Sequence, residues 1–217
     1  MLDTLKQGAS VIRGSSALLL LMLVGVVFGT FSEGYDRLST AHLLRDFAFV
    51  EETGFSAVVA FGMLGATGIV LSIGAVMLAE RYVNTDNAKQ IAVALSVVTL
   101  LIVVAVITFA VSGFVWLAIA MYIILQPLRG VIEPLTMAWF NRNIPSSSRA
   151  TVISMHSQAD ALGQMAGGPG VGLIGREVSV RVAITIAGVL LLPALWLYRK
   201  ALADKELLSK VVFPHLS

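Results

Sequence analysis

The chain has 217 residues, of which 57% are hydrophobic and 13% charged, against about 25% charged in an ordinary soluble domain. Its mean hydropathy is +0.88, too apolar for the polar surface a soluble protein of this length needs. The 15 basic and 13 acidic residues leave a net charge of +2 with no aromatic-studded basic patch, so no nucleic-acid partner is expected; the absence of cysteine excludes disulfides, thiolate chemistry and cysteine-based metal sites.

A short charged lead, MLDTLKQGASVIR, precedes the first apolar run. No small-residue cleavage site follows that run, so the lead reads as the start of a retained first helix. A spanning helix needs about 17–25 residues, and six apolar segments approach or exceed that length: Ser16–Leu44, Phe55–Ala79, Gln90–Val111, Phe114–Phe140, Thr151–Ile174 and Val182–Tyr198. A turn at Ser112–Gly113 is required, since Gln90–Phe140 would otherwise be one impossible span.

The connections sort by charge. With both termini cytoplasmic, the inner side holds Lys6, Arg13, Arg81, Lys89, Arg142, Arg149, Arg199, Lys200, Lys205 and Lys210. The outer side holds only Arg37, Arg45, Arg176 and Arg181. Basic residues favour the cytoplasmic face. The expected organisation is an all-α polytopic membrane protein in the cell (plasma) membrane, with a six-helix transmembrane domain over residues 1–198 and a cytoplasmic tail over 199–217.

Segment one carries SEGYDRL, with Glu33, Asp36 and Arg37. Counted from Ser16 they lie about 17–21 residues along, near the outer rim at 1.5 Å per residue. Glu33 and Arg37 have i,i+4 spacing, and the group lines an outer cavity mouth or forms a solvated extension. Tyr35 reads as an interface aromatic. Segment two is rich in small residues, which let helices approach closely. Segments three and six carry no charge and read as lipid-facing.

Segment four carries QPLRGVIEPL. Arg129 and Glu133 are four residues apart, with Gln126 on the same side. They form either a gate or a static ion pair. Pro127 and Pro134 each remove a backbone hydrogen bond, so segment four is the candidate moving element.

Segment five, SRATVISMHSQADALGQMAGGPGVGLIG, is the most informative stretch. His156, Asp160 and Gln164 are spaced by four and stack on one helix face. A carboxylate at that depth costs roughly 2.5–3.5 kcal/mol on insertion scales, so it should face a bundle interior or a watery path. The three side chains either bind a solute and relay protons or lock helices together, with Asp160 paired to Arg129 or to backbone donors. Gly163, Gly167, Gly168 and Pro169 make the outer half thin, for sliding contact with a partner or for tight internal packing. The three histidines offer no paired ligands, and no Walker A motif is present, so no cofactor or metal is expected.

Taken as two triplets, the segments repeat one order: long and charged, small-residue-rich, then plain and apolar. That is the weak internal symmetry of an inverted repeat. With GTFSEGYDRL, PLRGVIEPLTMAWFNRNIPSSSRATVISM and DALGQMAGGPGVGLIG, the chain resembles the carboxy-terminal half of a major facilitator superfamily transporter, similar to bacterial drug-efflux members. GAVMLAERY, at Gly74, Leu78, Ala79, Glu80 and Arg81, is a degraded echo of that family's cytoplasmic loop motif.

The resemblance implies two inverted three-helix repeats, an amino-terminal half or a second copy as partner, and proton-coupled efflux of small amphipathic solutes. Asp160 and His156 would then be coupling residues. Two other classes compete. An intramembrane serine protease needs a GxSG nucleophile, for which AVSG at Ala110–Gly113 is a poor match, so an enzyme is not expected. A non-transporting structural subunit or truncated product is the stronger rival.

Overall fold

In the computed structural model, residues 15–144 and 146–212 are described; the charged lead and His215 lie outside them. Among the described residues there are eight helices and no strand: α1 (Ser16–Asp46), α2 (Phe49–Thr53), α3 (Ala57–Tyr82), α4 (Ala88–Val111), α5 (Val115–Asn143), α6 (Ser146–Glu177), α7 (Val180–Val189) and α8 (Leu192–Val212). Five stretches of the described residues are long and apolar enough to cross a membrane: α1, α3, α4, α5, and α7 with the start of α8. The chain is therefore a polytopic helical membrane protein. Although α6 is 32 residues long, it is too polar to join those five.

The helix starts follow from local chemistry. Ser15, Ser56, Asn87 and Ser179 have extended backbones, and their side chains accept from the exposed N–H groups of α1, α3, α4 and α7. Such caps satisfy donors that have no partner inside the helix. Gly54, at φ 70°, closes α2 in the left-handed conformation that glycine adopts without steric cost. Arg149 donates to the carbonyls of Asn141 (3.0 Å) and Ile144 (3.4 Å), holding the sharp connection from α5 to α6.

One expectation about the elements needs correction. The predicted helix Val182–Tyr198 is broken at Leu190–Leu191, between α7 and α8. Pro193 has no N–H to give the Val189 carbonyl, and the chain instead makes a tight turn in which Leu191 N–H donates to Gly188 O at 3.2 Å. Helix α8 continues past residues 198 and 199, where the cytoplasmic tail is expected to begin.

The bundle is built around α1, which packs most extensively on α6 and also on α7 and α8. The opposite flank is made by α4 and α5, with α3 leaning on α5. One apolar cluster centres on Phe31, Tyr35, Phe109 and Ile184. The other centres on Leu21, Leu95, Trp139 and Tyr198, at the end where α1 begins. Segments three and six were expected to face lipid, yet α4 buries Ile91, Leu95, Ile102, Val106 and Phe109 along one face. The most exposed spanning helix is α3, with 11% of its apolar window buried against 44% for α4. Lack of charge does not reveal which helices a segment will touch.

Candidate functional site

The contact between α1 and α6 creates the site. A Cβ added at Gly29 would overlap the backbone carbonyl of Asp160, and one at Gly163 would overlap that of Val26. At Gly167 it would meet Thr30. Glycine alone permits backbones this close. Thr30 Oγ1 then donates to Val26 O (3.0 Å) and across to Gly163 O (3.1 Å). Gly168 faces Glu33 in the same seam, while Gly170 and Gly172 look into open space and Pro169 is exposed. Gly163, Gly167 and Gly168 thus serve tight packing between α1 and α6 within the chain.

With the two helices so close, the next turns of α6 carry His156, Ser157 and Asp160 into a cavity of about 310 Å³ shared with α1 and α5. From α1 it is lined by Phe28, Phe31 and Ser32, and from α5 by Arg129, Glu133 and Thr136. Four predicted pathway residues, on two different helices, therefore meet in one space. The volume falls at the small end of ligand pockets, about 300–1,000 Å³.

The pairing inside differs from the expectation. Arg129 does not bridge Glu133. Its two terminal nitrogens reach Asp36 Oδ1 at 2.6 Å and Oδ2 at 2.8 Å. A carboxylate on a neighbouring helix can meet the planar guanidinium fork head-on. The guanidinium also lies 5.7 Å from the ring centre of Phe31 and 5.5 Å from that of Tyr35, within cation–π range. Tyr35 is accordingly buried, at 1% exposure, against Phe31 and Phe109 rather than placed at an interface.

With Arg129 engaged elsewhere, Glu133 is exposed and has no hydrogen bond or ion pair among the described residues. Asp160 is not locked to Arg129 either; it accepts from Gln164 Nε2 at 2.7 Å. His156 stands edge-on to Phe140 at 5.0 Å, with its Nδ1 buried and unpartnered among the described residues. The cavity thus presents two carboxylates without a cation partner, an imidazole, two aromatic rings, and one arginine already neutralised by Asp36. Such a surface suits a cation with apolar substituents or a transferable proton.

The remaining predicted residues lie around this space. Glu33 pairs with Arg37 along α1. Gln126 reaches toward α3 and does not line the cavity: it fills the slot left by Gly68 of α3, where an added Cβ would lie 2.8 Å from Gln126 Cγ. There it lines a separate groove with Ser72. Pro127 and Pro134 sit inside α5, which continues helical through both. Among the described residues no group of three His, Cys, Asp or Glu side chains could hold a metal ion.

No protein-family model matches the chain. No curated protein matches it in sequence either.

Proposed function

We propose that this chain is a transporter half that moves small amphipathic solutes across the cell membrane by alternating access. In this reading it is the carboxy-terminal half of a major facilitator fold, with α6 as a sixth spanning helix. The inverted triplets are α1, α3, α4 and α5, α6, α7–α8. An amino-terminal half or a second copy supplies the opposite wall, and efflux is coupled to protons.

The observation that carries the reading is the placement of Glu133, His156 and Asp160 in one cavity within an otherwise apolar bundle. Ionisable groups within a membrane are expensive and mark solute or proton paths. The polarity of α6 has the same rationale: its polar face borders the cavity, not lipid. Asp160 and His156 are the proton-coupling residues in this account, and the Asp36–Arg129 pair replaces the expected Arg129–Glu133 gate. Pro127 and Pro134 leave the carbonyls of Ile123 and Gly130 without their helical donors, so α5 can bend beside the cavity. The ten basic residues of the expected inner side, six of them at the two ends of the chain, against four on the outer side support cytoplasmic termini.

The chain's lack of cysteine makes a direct test simple. Ser157→Cys places one thiol on the cavity wall. In cells also making a matching amino-terminal half, that thiol should react with a membrane-impermeant maleimide, and tetraphenylphosphonium should protect it. Equal labelling with and without the cation would contradict a solute site here.

A further inference from the structure

We infer that the C-terminal end of α1 carries a proton-controlled latch, in which doubly protonated His42 ties α1 to α4 and, through Asp46, to α7. His42 is fully buried. Its Nδ1 lies 2.7 Å from Asp46 Oδ2 and its Nε2 lies 3.1 Å from the carbonyl oxygen of Phe109. Both partners accept. A carbonyl has no proton to give, and neither has an ionised carboxylate. A neutral imidazole carries one N–H and one lone pair, so it can satisfy only one of them, whereas imidazolium donates to both.

The partners on both sides of the ring are acceptors. Asp46 Oδ2 also accepts from Arg181 Nε at 3.2 Å, so the same oxygen joins α1 to α7. The Phe109 carbonyl is among the last four of α4, which ends at Val111. Such carbonyls lack helical donors and attract positive charge. The ring is held edge-on by Phe47 at 5.2 Å and Phe109 at 4.9 Å.

Among the described residues, the charged groups around it are few. On α1 they are Asp46 and exposed Arg45; on α7, Arg181. No ionisable side chain stands at this end of α4, whose single one is Lys89 at its start. Nearby ends of other helices carry Glu51 and Glu52 of α2, exposed, and Arg176 and Glu177 of α6, exposed and paired with each other.

The sign follows directly. The tied arrangement holds the extra proton, so acid closes the latch and loss of that proton in base releases it. On release, either the Phe109 carbonyl is left without a donor or a lone pair faces the Asp46 carboxylate. The contact between α1 and α4 then loosens.

Spin labels at Leu44→Cys and Val111→Cys, both exposed positions at the ends of α1 and α4, read this in the full chain in lipid nanodiscs. The distances are measured at about pH 5.5 and at about pH 8.5, to compare acid with base. The expected result is a narrow distance distribution in acid that broadens in base. Asp46→Asn should keep it narrow in base, because the amide can donate to the lone pair of a neutral ring. In His42→Gln the distribution should not depend on pH.

A pH-independent distribution in the unaltered labelled chain overturns the latch, as does a pH response that survives in His42→Gln. Where His42→Gln fails to fold, ¹⁵N spectra of labelled histidines decide the matter. His42 should show two protonated nitrogens in acid, and a neutral ring there contradicts the inference.

Discussion

Asp36 on α1 and Arg129 on α5 form a two-pronged ion pair beside the cavity, at 2.6 and 2.8 Å. They are 93 residues apart in the chain. The guanidinium is 24% exposed and the carboxylate 53%, so solvent weakens the attraction and the pair belongs near the lower end of charge-assisted bonds. Asp36→Asn and Arg129→Gln should each destabilise the chain by about 1–2 kcal/mol. The double variant should lose less than the sum, because neither charge is then left alone. Unfolding of the four forms in mild detergent measures this, and strict additivity would show that the pair is not coupled.

The α1–α6 seam predicts a steep positional contrast. At Gly163 any side chain meets the backbone of Val26, so the helices must part. Gly163→Leu should cost at least about 1–3 kcal/mol, the usual range for overpacking. Gly172 faces open space, and Gly172→Ala should be neutral or stabilising by up to about 1 kcal/mol from helix propensity. Thermal unfolding of the two variants side by side tests the contrast; equal losses would contradict the seam.

These two cases mark what sequence can and cannot reveal. Capping serines, the turn at Ser112–Gly113 and the four-residue spacing of His156, Asp160 and Gln164 are local signals, and the structure follows them. Spacing also places Arg129 near Glu133, but it describes only one helix. The better acceptor, Asp36, comes from a helix whose orientation is set by glycine contacts far along the chain. Spacing likewise cannot reveal where the Gln126 side chain goes, because the slot at Gly68 belongs to α3. His42 and Asp46 have a legible i,i+4 spacing, yet the third partner, the Phe109 carbonyl, has no sequence signature. Pro193 is a legible signal for the break before it, but the continuous apolar run on both sides masks that signal.

Helix α6 predicts an unusual insertion behaviour. Asp160 lies near its middle, and a carboxylate there costs roughly 2.5–3.5 kcal/mol on insertion scales. Alone in a host protein, α6 should enter a membrane poorly, and Asp160→Leu should make it insert efficiently. Glycosylation at sites flanking the helix reports both. Efficient insertion of unaltered α6 by itself would mean that its polar face needs no cavity.

The most direct test of the transport account is cationic-dye accumulation in cells making this chain, a matching amino-terminal half, or both, each with and without Asp160→Asn. The account predicts that accumulation falls only when both halves are present, and that Asp160→Asn restores it at equal expression. If every combination accumulates dye equally while the protein reaches the membrane, the chain is not an efflux half and the cavity carboxylates have another purpose.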